Sequence, residues 1–172
     1  MRVSPTREET VHSGPTGFDN FVRQRGRALW RAAFLLTGDS HKAEDLVQTV
    51  LAKTYPHYRG DDGAFEGYVR TALYRTYVSW WRRRWKGEVP SEELPESPEM
   101  GEASRSARLD LLRAMAELPK VQRAVLVLRY FEDCTVAEVA ERLGMSEGTV
   151  KSHSFRAREA LRQSVHLKEE AR

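Results

Sequence analysis

Thr149 and Ser152 carry short hydroxyl groups, Lys151 and Arg156 are long cations, and His153 and Arg158 fall beside them in the same stretch of chain. Side chains of this kind, presented from the first turns of a helix, suit duplex DNA: cations meet phosphate oxygens, and small polar groups reach base edges in the major groove. The elements that must position them are also visible. Val136, Val139, Ala140 and Leu143 recur at i, i+3, i+4 and i+7, which puts one apolar stripe on a short helix, and Gly144 ends it. Ser146 is a good N-cap for a second helix over Glu147 to Arg162, with buried positions expected at Val150, Phe155, Ala157 and Leu161. A short helix, a tight glycine turn and a longer basic helix form the pattern of a helix-turn-helix whose second helix enters the major groove. The same pair also suits a purely structural helical hairpin. What favours DNA is the exposed face of the second helix, which is expected to hold Lys151, Ser152, His153, Arg156 and Arg158 and no apolar residue.

A second chemistry lies in Phe65 to Trp85. Phe65, Tyr68, Val69, Ala72, Leu73, Thr76 and Trp80 make a core stripe, while Arg70, Tyr74, Arg75, Tyr77, Val78 and Trp81 lie on or near the other faces. Cations interleaved with aromatic rings on an accessible helix suit single-stranded nucleic acid, the cations for phosphates and the rings for unstacked bases. Aromatic stripes at helical spacing are more often core. Here the rings are too numerous for one buried face of a small three-helix unit, which points to an exposed role for some of them. Arg82, Arg83, Arg84 and Lys86 close this helix, where positive charge also favours a helix C-terminus.

The totals exclude other classes. The 28 Lys and Arg against 25 Asp and Glu leave a net charge of only +3, so the distribution of charge carries more information than its sum. One cysteine, Cys134, excludes an internal disulfide and cannot build a thiolate metal site alone. His12, His41, His57, His153 and His166 show no paired metal-ligand spacing, and neither a cofactor nor a catalytic residue is expected. Asp61 and Asp62 in a glycine-rich turn have cation-binding chemistry, although two turn aspartates are usually just solvated. There is no run of eighteen apolar residues and no signal-peptide pattern, so the expectation is a cytoplasmic protein with no membrane contact.

The predicted fold class is all-α, two small helical domains joined by a flexible acidic linker. Residues 1–16 read as a disordered leader. Residues 17–86 hold three helices: one from Phe18 to Gly38; one capped by Asp39 or Ser40 with Ala43, Leu46, Val47, Val50 and Leu51 as its stripe and Glu44, Asp45, Gln48 and Lys53 opposite; and the aromatic-basic segment after the Arg59-Gly60-Asp61-Asp62-Gly63 turn. Residues 87–104 hold six Glu, three Pro and no Lys or Arg, a composition that cannot bury a core. Residues 105–165 hold four short helices ending in the helix-turn-helix, and 166–172 form a tail.

Taken in order, Ala43-Glu44-Asp45-Leu46-Val47-Gln48, the aromatic-basic segment, the acidic linker, Leu118-Pro119 before an apolar helix, Thr149-Val150-Lys151-Ser152 and Arg156-Ala157-Arg158-Glu159-Ala160-Leu161 resemble the extracytoplasmic-function sigma factors of bacteria, members of the sigma-70 family. The Trp80-Trp81-Arg82-Arg83-Arg84 ending looks like their actinobacterial SigE-type branch. The resemblance implies an RNA polymerase specificity subunit that is not itself an enzyme, a monomer when free. By that resemblance Glu44, Asp45 and Gln48 grip the coiled coil of the polymerase β′ subunit. Arg59, Arg70, Tyr74, Arg75, Ser79 and Trp81 belong to the surface that captures flipped-out bases of the minus-ten element. Thr149, Lys151, Ser152, His153, Phe155, Arg156 and Arg158 belong to the minus-35 reader, whose domain rests on the β flap. Arg75 stands where many relatives carry Asn, and Ser79 where many carry Asp, so no minus-ten preference transfers. An anti-sigma factor is a further partner typical of the family, though no residue here identifies one.

Two other readings suit parts of the chain. Thr149-Val150-Lys151-Ser152-His153 also fits a LuxR-like helix-turn-helix regulator that acts as a dimer on duplex DNA and ignores core polymerase, but the N-terminal half lacks the strand-helix alternation of a receiver domain. A helical enzyme is the other, and it lacks a constellation to work with.

Overall fold

Gly38 and Asp39 set the first corner of the fold. In the computed structural model, which describes residues 15–84 and 101–168 and the side chains of all of these except 80–84, helix α1 (Pro15–Thr37) ends where Gly38 takes a left-handed φ of +69°. The Asp39 carboxylate then accepts the Lys42 N–H at 2.9 Å and starts α2 (Ser40–Thr54), which satisfies an orphan donor of the first turn. A 3-10 turn at Tyr55–His57 leads to α3 (Asp62–Arg84), whose first turn is capped by Asp61 accepting from the Ala64 N–H at 3.1 Å. Asp62 accepts from the Tyr58 hydroxyl at 2.8 Å. Both turn aspartates are therefore engaged in holding the chain, and among the described residues no acidic or histidine cluster suits a metal ion.

The three helices close on a core of Leu29, Ala33, Leu36, Leu46, Val50, Val69 and Leu73, with an aromatic plug at one end. There Phe21 and Phe65 meet edge to face with centroids 4.8 Å apart, and Tyr58 packs on Phe65 at 5.1 Å. Such edge-to-face pairs place a positive ring edge on a negative face.

After the segment that lies outside the described residues, α4 (Glu102–Ala116) and α5 (Lys120–Tyr130) run into the helix-turn-helix, α6 (Val136–Leu143) and α7 (Glu147–Gln163). The helix begins at Glu102, inside the span expected to be linker; the carboxylate in its first turn suits the positive end of the helix dipole. Likewise α1 begins at Pro15, where proline costs no hydrogen bond. The remainder of the leader, residues 87–100 of the linker and the last four residues of the tail lie outside the described residues. A capping box starts α6: Thr135 Oγ1 accepts from the Glu138 N–H and the Glu138 carboxylate accepts from the Thr135 N–H at 2.6 Å. Gly144 ends it with φ +65°, and Ser146 caps α7 by accepting from the Thr149 N–H at 3.1 Å. A final turn, α8 (Val165–Lys168), folds back on α4, with His166 Nε2 3.1 Å from the Glu117 carboxylate.

The two helical units do not stand apart. α3 packs on α5 and α6, and α1 packs on α5. Tyr77, 2% exposed, lies in this seam with the Lys120 ammonium 5.8 Å from its ring centroid. Burial, with the positive charges of Arg123 and Lys42, pulls the Lys120 pKa down from 10.5 to about 7.

Two outcomes follow. Gly144→Ala places a β-carbon on left-handed backbone with no neighbour within 4 Å, so the cost is backbone strain alone. It should remove about 1 kcal/mol and lower Tm by about 2–4 °C in a thermal melt. For Lys120 the unfolded chain binds the proton up to its ordinary 10.5 and the folded chain only up to about 7, so its contribution to stability rises with pH across that window. Lys120→Met should therefore raise Tm at pH 7, with the gain fading as pH approaches 10; an equal gain at both pH values contradicts this.

Candidate nucleic-acid interface

α7 buries Val150, Ser154 and Ala157 and partly covers Leu161 against the rest of its unit. Phe155 was expected among the buried positions and is instead 61% exposed. Successive helical residues are about 100° apart, so the face that takes Val150 and Ala157 takes Ser154 between them and turns Phe155 outward. Thr149, Lys151, Ser152 and Arg156 are exposed as expected. The outer face thus has an apolar ring among its donors and cations, contrary to the expectation of none. His153 is half-buried, and burial followed by the neighbouring Arg156 charge lowers its pKa below the usual histidine value, which favours a neutral imidazole at pH 7. Arg158 lies to one side, edging an apolar groove of 420 Å³ formed with Leu35, Met115, Leu126, Phe131 and Leu161.

On α2, Glu44, Asp45 and Gln48 are exposed and adjacent, and with His41 and Lys42 they line an open depression. The Gln48 amide donates to Glu44 Oε1 at 3.2 Å.

The α3 residues depart most from expectation. Tyr74, expected on an accessible face, is fully buried, and Tyr77 is nearly so; Tyr68, assigned to the core stripe, is 46% exposed. α3 is covered on two sides, by its own unit and by α5 and α6. The surplus of rings that suggested exposure is absorbed by this second burial. Arg70 is ion-paired with Glu66 at 3.0 Å on its own helix and with Glu132 on the loop after α5. Burial opposes the Arg70 charge, but Glu132 and Glu66 outweigh it and hold the guanidinium above its usual pKa. The Tyr74 hydroxyl lies 3.4 Å from Glu132 Oε1, and burial together with that carboxylate raises its pKa well above 10.

Two more arginines cross the seam, each toward the C-terminal end of a helix on the other side. Arg75 Nε donates to the Arg142 carbonyl at 2.7 Å and its Nη2 to the Glu141 carbonyl at 3.2 Å, in the last turn of α6. Arg123 Nε donates to the Leu35 carbonyl at 2.8 Å, in the last turn of α1. The last carbonyls of a helix lack partners within it and carry its negative end, so a guanidinium there supplies both donors and charge. Neither Glu132 nor Arg123 was identified from the sequence. Arg123 left a signal, a cation inside the run Val121, Ala124, Val125 and Leu128; Glu132 left none in its turn. Arg59 is exposed and donates to the Pro56 and Tyr58 carbonyls at 2.8 and 2.9 Å, and Ser79 is exposed with its hydroxyl 3.3 Å from the Thr76 carbonyl. Trp81 stands in α3, and its side chain lies outside the described residues.

No described helix is long and apolar enough to cross a membrane. Residues 21–87 match the sigma-70 region 2 family and residues 108–161 match sigma-70 region 4. The chain is 43% identical to the RNA polymerase sigma-E factor of Streptomyces coelicolor over 86% of its own length and 85% of that protein's. With the sigma-E factor of Streptomyces avermitilis it shares 39% identity over 92% of this chain and 90% of that one. The ECF RNA polymerase sigma factor SigE of Mycolicibacterium smegmatis is 32% identical, over 84% of this chain and 60% of that protein. Among solved structures, the fold is similar to a sigma factor RpoE from Bartonella quintana, in complex there with the anti-sigma factor NepR, at a TM-score of 0.67 and 24% identity, over 88% of this chain and 96% of that one. The region 2 match removes the LuxR-like reading of the N-terminal half. With a region 2 unit ahead of a region 4 helix-turn-helix, and sigma-E relatives matched along most of its length, the chain belongs to the sigma-70 family as an extracytoplasmic-function sigma factor, a subunit that directs transcription initiation by RNA polymerase.

Proposed function

We propose a division of this work among three surfaces of the chain. The exposed Glu44, Asp45 and Gln48 of α2 dock on the β′ coiled coil of core polymerase in the cytoplasm, while the C-terminal unit, about residues 105–165, rests on the β flap. The outward row of α7 reads the minus-35 element: Thr149 and Ser152 present hydroxyls to base edges, Lys151 and Arg156 neutralise phosphates, Phe155 offers apolar contact to a thymine methyl, and His153 enters as a neutral donor or acceptor. Arg158, at the margin of this row, is assigned to the backbone. The α3 face with Arg70, Tyr74, Arg75, Ser79 and Trp81, together with Arg59 in the preceding turn, holds the opened minus-ten strand. Each base stacked there on an aromatic ring is worth about 1–3 kcal/mol. The chain selects where synthesis begins and leaves the chemistry of synthesis to the polymerase. An anti-sigma factor is the regulator that the α2 and α3 surfaces would accept, by excluding polymerase.

The observation that carries this map is the α7 face, where capped backbone and a buried Val150-Ser154-Ala157 stripe leave Thr149, Lys151, Ser152, Phe155 and Arg156 facing solvent. In vitro transcription with purified core polymerase and a randomised promoter library tests it. Asp45→Arg should abolish core binding in a pull-down. Lys151→Ala with Arg156→Ala should leave core binding intact, weaken upstream duplex binding and flatten its salt dependence by about two phosphate contacts. Loss of both activities in either variant, with melting curves unchanged, contradicts the division.

A further inference from the structure

The start of α7 holds a pair of hydroxyls for which helix capping alone does not account. Ser146, the N-cap, accepts the Thr149 N–H at 3.1 Å, and its Oγ also lies 2.8 Å from Thr149 Oγ1, in a hydrogen bond that either oxygen can donate. Both residues are exposed, and Gly148 between them leaves the pair uncovered, since a β-carbon there would stand 3.9 Å from Ser146 Oγ. A hydroxyl has one hydrogen and two lone pairs. Two hydroxyls therefore bring two hydrogens, and the bond between them takes one. When Ser146 donates, the Thr149 hydrogen is free to turn outward; when Thr149 donates, it offers only lone pairs and Ser146 keeps the outward hydrogen. The exchange rotates two O–H bonds and moves no heavier atom.

We propose that Ser146 is a positioning residue for minus-35 reading: beyond capping α7, it sets whether Thr149 meets a base edge as donor or as acceptor, and a serine there makes the contacted position tolerant of both. This rests on reading α7 as the minus-35 helix with Thr149 at a base. In the major groove G and T present acceptor oxygens at O6 and O4, whereas A and C present amino donors at N6 and N4. A Thr149 hydroxyl whose partner can either give or take a hydrogen meets each kind. A cap that can only accept removes that freedom. A carboxylate at the cap has no hydrogen to give, and it holds a hydroxyl hydrogen more strongly than a neutral oxygen does, so Thr149 is left with lone pairs toward the DNA.

The test uses holoenzyme assembled from the full chain and core polymerase, titrated with fluorescein-labelled duplexes that carry the minus-35 element of a promoter obtained from the library transcription. Each of the four bases is placed in turn at each position of the element. Wild type is compared with Ser146→Asp, Ser146→Asn, Ser146→Gly, Thr149→Val and the double variant Ser146→Asp with Thr149→Val, with thermal melts to establish folding. Aspartate, asparagine and glycine all serve at an N-cap. The position at which Thr149→Val changes relative affinity locates the Thr149 contact. There wild type should bind the two kinds of edge within about twofold of one another, and Ser146→Asp should favour A or C over G or T by about three- to tenfold, the span of one hydrogen bond. Ratios taken within one protein cancel the added negative charge. Ser146→Asn, whose amide oxygen accepts without that charge, should shift the ratio in the same direction, and Ser146→Gly, with no oxygen to take the Thr149 hydrogen, should keep the wild-type ratio. Equal ratios in wild type and Ser146→Asp overturn the proposal. So does a shift that persists in the double variant, because the new carboxylate then contacts the base itself, and so does an equal shift in Ser146→Gly. If Ser146→Asp does not fold, Ser146→Asn decides in the same way. No change of base preference in Thr149→Val at any position overturns the placing of Thr149 at a base and the proposal with it, whereas a Thr149 contact that Ser146→Asp leaves unmoved overturns the proposal alone.

Discussion

A helix whose large side chains point to more than one side must be covered on more than one side, and α3 is such a helix. Val69 and Leu73 belong to the core with α1 and α2, while Tyr74 and Tyr77 turn toward α5 and α6. Neither side alone hides the rings, so the two helical units are driven together by the same residues that make each of them. Burial of aromatic surface favours this contact, since a large side chain removed from water contributes about 1.5–3 kcal/mol. The arginines then fix the geometry, because Arg75 and Arg123 each donate to carbonyls at a helix end on the opposite side. A reciprocal arrangement of this kind specifies one docking angle, where apolar contact alone would accept several.

That constraint explains why the faces of α2, α3 and α7 differ in accessibility. α2 turns its apolar stripe inward and needs nothing further, so Glu44, Asp45 and Gln48 are left to solvent. α7 has the short buried stripe of Val150, Ser154 and Ala157, with Leu161 half-buried, and its remaining circumference is polar apart from Phe155 and Ala160. α3 turns large side chains both toward α1 and α2 and toward α5 and α6, and it is covered on both sides. Rings that stack on bases are also rings that water rejects, and the same chemistry makes a nucleic-acid surface prone to closing when no nucleic acid is there.

Much of this was legible in the residues. The helix starts and stops follow from Gly38, Asp39, Pro119, Thr135, Gly144 and Ser146, whose conformational and capping preferences act within a few residues of themselves. The order of motifs points to the family. What could not be read were facts that depend on residues far apart in sequence. Tyr68 and Tyr74 exchange their expected places, one exposed and one buried, because helical spacing ranks faces only against one partner surface and α3 has two. Phe155 and Ser154 differ by a single position, and helical spacing buries the small hydroxyl side chain while the larger apolar one faces outward. Glu132 in its turn looked like any solvated acid, since its partner Arg70 is 62 residues away.

The central claim is that α3 is covered on two sides by its own chain, by the N-terminal helices and by α5 and α6. Spin labels at exposed positions on α2 and α7, at Lys53 and Gln163 in a Cys134→Ser background, report the separation of the two units directly by pulsed electron resonance. A short, narrow distance distribution in the free chain is the predicted result. A broad distribution reaching long distances would contradict the account.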